Sequence, residues 1–189
     1  MSDEIEIIWI LMAILAFAVA LNLFLTFRLS RISLAAQFDE NTPLMLPAGE
    51  SVEDFTGAYL TSGQQVSIKS TPAQAYVFLF LSSRCSTCRS KLPELERILP
   101  TSVNAGITTW LLSIEPVNRL KNFLKDSKLT NHVVLIDDKT SKYLNPRSNS
   151  PSYIFLDEAR EVQASGNIGD ANWNSFLSQM DEIQSEGAE

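Results

Sequence analysis

The two cysteines of the chain follow a strongly predicted strand, and this feature most restricts the fold. Residues 76–81 are an unbroken run of aromatic, β-branched and aliphatic side chains, typical of a central strand buried on both faces. Cys85 and Cys88 come soon after, and between 87 and 99 apolar residues recur at spacings of three and four. That periodicity predicts an amphipathic helix. The stretch therefore predicts a strand, a cysteine-containing loop and a helix.

The rest of the domain alternates in the same way between short apolar runs and helical patterns. The predicted elements are a hairpin or meander over 52–68, strands over 107–114 and 133–136, a helix over 117–129, a helical turn over 141–144, a hairpin with strands at 153–156 and 161–164, and a closing helix with Trp173, Phe176, Leu177 and Met180 on one face. This order predicts an α/β sandwich with parallel strands and an antiparallel end. Sites on such sheets collect at the carboxyl ends of the parallel strands, where the cysteines lie.

A long apolar segment near the N-terminus predicts a membrane anchor. From Ile7 to Phe27 the only strongly polar side chains are Asn22 and Thr26, and about 20 helical residues reach across a bilayer core. A cleaved signal peptide is the alternative, since 18–20 resembles a cleavage tripeptide. However, the preceding segment is acidic and hydrophobicity continues to Phe27, which favours an uncleaved transmembrane helix. A soluble core helix is disfavoured because the run is apolar on every face.

The predicted organisation is a short acidic tail at 1–6, the anchor at 7–27, a linker at 28–48, a single domain at 49–183 and a flexible tail at 184–189. Arg28 and Arg31 follow the apolar run, and no Lys or Arg precedes it. By the positive-inside rule alone, these arginines place the domain in the cytoplasm.

Charge and cysteine content exclude several functional classes. The formal net charge of −7 disfavours nucleic acid as a partner, because binding a phosphate backbone requires clustered Lys and Arg. The two cysteines and the single histidine, His132, are too few for the four ligands that a structural zinc site usually takes. We therefore expect neither a metal nor another cofactor, and either redox chemistry or an inert cysteine pair.

The position of the pair favours redox chemistry. At a helix start, unpaired backbone N–H groups favour a thiolate, so we expect Cys85 to ionise readily, with help from Arg84 and Arg89. Cys88, one turn further along, is the expected resolving thiol. Inert packing of two small apolar side chains is the alternative. It is disfavoured by the polar residues 86–87 and by the flanking arginines.

These features resemble the thioredoxin superfamily. Pro93, five residues after Cys88, stands where thioredoxins carry a proline in the active-site helix, and 150–156 is similar to their cis-proline loop and following strand. The resemblance implies a thioredoxin-like three-layer sandwich, a cis bond before Pro151, and catalytic roles for Cys85, Cys88 and Pro151. It also implies a substrate-binding surface made of Ser150, Arg84, Ser86 and Thr87. An ordinary loop proline is the alternative for Pro151.

Within the superfamily, the chain is most similar to the membrane-anchored TlpA-like and ResA-like branch. The MauD group of methylamine utilisation proteins shares the segment seen here as 47–49. The similarity covers about residues 49–180. It implies a domain facing the periplasm or outer surface, whereas the positive charges of Arg28 and Arg31 favour the cytoplasmic side. It also implies a disulfide-containing exported protein as substrate, and a membrane-embedded or soluble redox partner. The membrane itself is contacted through 7–27.

Several positions depart from thioredoxin. Arg84 replaces the tryptophan before the first cysteine, and Leu79 stands near the position of the buried acid. Glu94, Glu115 and Asp137 are unranked candidates for proton transfer, and the direction of electron flow stays open.

Two other functions remain alternatives. Ser82, three residues before Cys85, fits the Thr/Ser-x-x-Cys of peroxiredoxins, although Phe78 and its neighbours stand where those enzymes have a proline. A non-catalytic assembly factor with the same fold is the second alternative.

Overall fold

The computed structural model describes residues 42–186 without a break, and before them only residues 9, 12, 15, 17–24 and 26. The chain divides into two units between Thr42 and Pro43. The described residues of the first unit that precede 27 are helical. No helix within the described part of the chain combines the length and the apolar character needed to cross a membrane. The predicted anchor lies partly outside the described residues. The predicted tail at 1–6, the linker from 28 to 41 and residues 187–189 lie outside them entirely.

The second unit is built around a seven-stranded mixed sheet with the order β2-β1-β5-β4-β3-β6-β7. The strands are β1 Thr56–Tyr59, β2 Gln65–Ser67, β3 Ala75–Phe80, β4 Ile107–Ser113, β5 Val133–Leu135, β6 Ser152–Asp157 and β7 Val162–Asn167. The inner strands β3, β4 and β5 are parallel, while β1 and β6 pair with them in antiparallel fashion on either side. The predicted α/β architecture is confirmed, with antiparallel pairing at both ends of the sheet.

The described residues of this unit also form four α-helices and one 3₁₀-helix. They are α1 Ser86–Asn104, α2 Val117–Phe123, the 3₁₀-helix Lys128–His132, α3 Asp138–Leu144 and α4 Ala171–Glu186. The single helix predicted over 117–129 is wrong. Asp126 adopts a left-handed φ of +65°, which an L-residue does not take inside an α-helix. Ser127 then caps the 3₁₀-helix by accepting a hydrogen bond from the Leu129 amide at 3.2 Å.

Three helices extend beyond their predicted limits. Helix α1 continues past Pro100 to Asn104, and the hydroxyl of buried Ser102 donates to the Ile98 carbonyl in this last part. Helix α3 begins at Asp138 because Asp137 caps it, accepting from the Thr140 amide at 2.7 Å. Helix α4 runs to Glu186, into the segment for which a tail is predicted.

The sheet carries a separate hydrophobic core on each face. Side chains at 77, 79 and 81 join the core that contains Cys88 and parts of α1, α2 and α4. Those at 76, 78 and 80 join the opposite core, which includes Phe55 and Trp110. Phe78 and Trp110 stack there with ring centroids 5.7 Å apart. Both faces of β3 are therefore buried, as its composition predicts.

The folded unit begins before the predicted boundary at 49. Met45 and Leu46 are buried in the second core, and the Leu46 amide donates to the Leu144 carbonyl at 3.0 Å. The Gly49 amide bonds the Val162 carbonyl at 2.8 Å. These contacts attach the segment after Pro43 to the domain.

Candidate active site

Cys85 is the residue that caps the N-terminus of helix α1. Its backbone is extended, and its sulfur caps the helix by accepting a hydrogen bond from the Cys88 amide, with a sulfur-to-nitrogen distance of 3.2 Å. A side chain that accepts from the first turn satisfies an amide that has no partner within the helix. The sulfur is half-buried and is a free thiol.

Hydrogen bonding makes Cys85 the more acidic of the two thiols. Partial burial acts to raise its pKa, but hydrogen bonds from the Cys88 thiol, from the amides of Cys88 and Thr87, and from the Thr87 hydroxyl outweigh burial. The pKa of Cys85 is therefore lowered. Hydrogen bonds to a sulfur anion favour the charged form, so the geometry of the helix start makes Cys85 the nucleophilic thiol.

Cys88 has the opposite character. Its side chain is completely buried, and this burial, together with its hydrogen bond to Cys85, raises the pKa of Cys88 to about 11. The Ser82 amide, 3.4 Å from its sulfur, and the Ser150 hydroxyl act in the other direction. Cys85 is thus the thiol of the pair that ionises first as pH rises, while Cys88 stays protonated at neutral pH.

The loop around Pro151 lies against the cysteines. The Ser150–Pro151 peptide bond is cis, as the resemblance implies. The Cys85 sulfur lies 3.9 Å from the Ser150 carbonyl oxygen, across 65 positions of sequence. Strand β6 begins at Ser152, which pairs with Phe80 at the end of β3. The antiparallel pairing of β3 and β6 therefore brings the two loops together.

Asn145 shapes the same loop, and sequence reasoning did not identify it. Its side chain is buried, donates to the Asn149 carbonyl at 2.8 Å and accepts from the Asn149 amide at 2.8 Å. The Ser152 hydroxyl also donates to the Asn149 carbonyl. An Asn at the start of a proline-containing loop was the available signal, since its amide can replace a backbone partner.

The remaining predicted substrate-binding residues surround Cys85. Arg84, Ser86 and Thr87 are exposed. Arg89 lies over the ring of Phe123, 5.1 Å from its centroid, so its guanidinium makes a cation–π contact. The leading causes that lower the pKa of Cys85 are hydrogen bonds from Cys88 and Thr87. A contribution of the two arginines to its ionisation stays a prediction.

Leu79, which stands near the position of the buried acid of thioredoxins, is itself buried. The three candidate acids occupy different environments. Glu94 accepts from the Trp173 indole and from Lys91, both at 2.9 Å. Asp137 caps α3, and hydrogen bonds from Thr140 lower its pKa. Neither of these two carboxylates has a described hydrogen bond to the loop that carries the cysteines.

Glu115 is the candidate acid that binds the loop before Cys85. Its carboxylate accepts from the Ser82 hydroxyl at 3.2 Å, from the Ser83 amide at 3.0 Å and from the Ser83 hydroxyl. The hydroxyl of Ser82, which in a peroxiredoxin-like motif would serve the reactive cysteine, is thus bound to Glu115. Within the described residues, no cluster of three or more His, Cys, Asp or Glu side chains is arranged to hold a metal ion.

Comparison with known proteins agrees with this geometry. The model of the AhpC/TSA family matches residues 48–165, more than half of the chain. The chain belongs to the AhpC/TSA family. No curated protein matches it.

Solved structures similar to this AhpC/TSA protein share its fold. A candidate protein disulfide isomerase from Bacteroides thetaiotaomicron is 21% identical, with a TM-score of 0.63 over 78% of this chain and 97% of that one. The thioredoxin domain of a thiol-disulfide oxidoreductase from Bacteroides vulgatus is 21% identical, with a TM-score of 0.60 over 71% and 99% of the two chains. A thiol:disulfide interchange protein from a Bacteroides species is also 21% identical, with a TM-score of 0.60 over 72% and 91%. The predicted thioredoxin-like fold is confirmed.

Proposed function

We propose that this protein is a thiol–disulfide oxidoreductase in which Cys85 attacks and Cys88 resolves. The observation that carries the proposal is the opposite shift of the two pKa values within one hydrogen-bonded pair. Disulfide exchange requires a thiolate to attack first and a second thiol to act only once the mixed disulfide has formed. A buried, protonated Cys88 beside an acidic Cys85 meets both requirements.

The substrate in this proposal is a protein disulfide. Cys85 is only partly buried and its neighbours Arg84, Ser86 and Thr87 are exposed, so an extended peptide segment can approach the nucleophile. We propose Arg84, Ser86, Thr87 and Ser150 as its contacts, with Pro151 beside the sulfur. Because the site also holds a resolving thiol, it returns to a disulfide without a separate small-molecule cofactor.

The proposal extends to location and partners. The apolar run at 7–27 supports a membrane anchor, and similarity to the MauD-like group supports a domain facing the periplasm or outer surface. There the protein acts on exported proteins, including in the maturation of a disulfide-rich or cofactor-containing partner. A membrane-embedded or soluble redox protein restores its active form.

Thiol peroxidase activity is the competing function, and membership of the AhpC/TSA family is the observation in its favour. Peroxidatic cysteines need hydrogen-bond donors that polarise the peroxide as the O–O bond breaks. Here the Ser82 hydroxyl donates to Glu115 instead. We therefore expect Cys85 to react with hydrogen peroxide no faster than a free thiolate of equal pKa.

Trapping in cells tests the proposal. A full-length Cys88→Ser variant should accumulate mixed disulfides at Cys85, and mass spectrometry of the reduction-released proteins identifies the partners. A Cys85→Ser, Cys88→Ser double variant is the matched control and should capture none of them. Exported, cysteine-containing partners support the proposal, and cytosolic partners overturn the proposed location. Equal biological activity of the Cys85→Ser variant and the wild type would identify a non-catalytic assembly factor instead.

A further inference from the structure

Glu115 ties the end of β4 to the loop that precedes the cysteines. It is half-buried, and three donors from two consecutive residues converge on its carboxylate: the Ser82 hydroxyl, the Ser83 amide and the Ser83 hydroxyl. Its own amide donates to the Ser113 hydroxyl at 3.1 Å. A carboxylate bonded by several donors fixes those donors in one geometry, since hydrogen bonds to a charged acceptor are the stronger ones.

Ser82 connects this carboxylate to the resolving cysteine. While its hydroxyl binds Glu115, its backbone amide donates to the Cys88 sulfur at 3.4 Å. That amide lowers the pKa of Cys88, against the larger effect of burial. A completely buried sulfur has few other ways to become an anion, so the placement of this amide matters for its reactivity.

We propose that Glu115 is a positioning residue for the resolving step, because it holds the Ser82 amide against the sulfur of Cys88. The inference rests on the proposed function, since it concerns the second half of the exchange. The contact depends on the serines that this chain carries at 82 and 83.

The chemical step is balanced without a further reactant. Cys88 loses its proton, and its sulfur attacks the Cys85 sulfur of the mixed disulfide. The bond between Cys85 and the substrate sulfur breaks as the bond between Cys85 and Cys88 forms. Cys88 is thereby oxidised and the substrate sulfur reduced, and the leaving thiolate takes up a proton. A cavity of about 210 Å³ lined by residues that include Ser82, Glu115 and Ser150 lies beside this contact and can admit the water that carries the proton.

The other charged side chains near the cysteines have different contacts. Arg84 is exposed, and Arg89 lies over Phe123. Lys91 and Glu94 pair with each other at 2.9 Å, and Arg147 lies in the loop before Ser150. Among the described acidic residues, Glu115 is the one whose carboxylate has a described hydrogen bond to the loop at 82–84.

A two-phase reaction with the aromatic disulfide DTNB tests the inference on the full-length, reduced protein. Attack by Cys85 releases the first thionitrobenzoate, and resolution by Cys88 releases the second. In the Glu115→Ala variant we expect the second phase to slow by about threefold to tenfold, the effect of weakening, without removing, one hydrogen bond to a sulfur anion. The pH at which this phase accelerates should move upward, and the first phase should change less. In Glu115→Gln, which keeps one oxygen acceptor, the rate of the second phase should lie between those of the wild type and Glu115→Ala. Glu158→Ala removes an exposed carboxylate and is the matched control.

Each outcome decides the matter. A second phase in both Glu115 variants that equals that of Glu158→Ala would overturn the positioning role, as would equal slowing of both phases. If Glu115→Ala does not fold, Glu115→Gln and Ser83→Ala carry the comparison, because Ser83→Ala removes a donor to the carboxylate and leaves Ser82 intact. Absence of a second phase in the wild type would overturn the proposed function, and the positioning role with it.

Discussion

Replacing Cys88 by alanine removes the thiol that donates a hydrogen bond to Cys85 but leaves the backbone of the helix start in place. In the wild type, that thiol is the first of the hydrogen-bonding groups that lower the pKa of Cys85. The Cys88 amide, at 3.2 Å, remains in the variant. We therefore expect the pKa of Cys85 to rise without returning to that of a free cysteine.

The size of the rise follows from the strength of one hydrogen bond. A bond to a charged acceptor contributes about 1.5–3 kcal/mol, and a thiol is a weak donor, so the lower end applies. At about 1.4 kcal/mol for each pKa unit, the pKa of Cys85 should rise by about one unit. A less acidic thiolate is also intrinsically more nucleophilic. The midpoint of the pH profile is therefore the quantity to measure, rather than the rate at one pH.

Alkylation by iodoacetamide as a function of pH provides this midpoint. Cys88 is completely buried and its pKa is about 11, so Cys85 dominates the reaction in the reduced wild type. Cys88→Ser is the matched control, because its hydroxyl keeps a donor at the same position and its midpoint should lie closer to that of the wild type. If Cys88→Ala and the wild type have the same midpoint, the hydrogen bond between the thiols does not set the acidity of Cys85.

Three further predictions concern stability, each measured by urea unfolding of the reduced protein. Because the pKa of Cys88 is raised to about 11 in the folded protein, this thiol ionises in the unfolded chain before it ionises in the folded one. The free energy of unfolding should therefore be at its full value below about pH 8.5 and fall by about 3 kcal/mol as pH rises towards 11. A Cys88→Ala variant with the same dependence on pH would contradict this. Gly57→Ala should cost about 3 kcal/mol, because its Cβ would lie 2.5 Å from a β5 side chain and 2.7 Å from a β5 backbone oxygen. Gly63→Ala, where φ is +67° and the space is open, should cost only about 1–2 kcal/mol, and equal losses would refute the steric argument. Trp173→Phe should cost about 1–3 kcal/mol by removing the indole donor to Glu94, a partly buried hydrogen bond of 2.9 Å, whereas Glu94→Gln keeps an oxygen acceptor and should cost less.

The local sequence pattern was sufficient to predict β3, the helix after it and the position of the cysteines between the two. An unbroken apolar run has few structural solutions, and β3 is buried on both faces as expected. The apolar periodicity from 87 to 99 predicted a helix just after Cys85, and Cys85 is the cap of α1. These features depend on neighbours within a few positions of each other, which is the range that sequence periodicity reports.

The features that sequence did not predict depend on contacts between distant segments or on single backbone angles. Glu115 meets Ser82 across 33 positions, and that contact exists because β4 lies parallel to β3 and ends at the same edge. The periodicity after 117 continued through Asp126, but its left-handed φ ends the helical geometry there. Neither the register of two paired strands nor the φ of a single residue changes the hydrophobic periodicity of the sequence.

The length of strand β3 fixes where the cysteine loop lies relative to the two cores, because the strand supplies alternate side chains to both. Deleting one residue from this strand would turn each of its side chains to the opposite face, exchanging rings for aliphatic groups in layers that are built to different shapes. The same deletion would also withdraw the cysteine loop by one step from the loop at 150–151. In this protein the spacing between strand and motif is as much a functional parameter as the motif itself, and we expect length changes here to be less tolerated than substitutions.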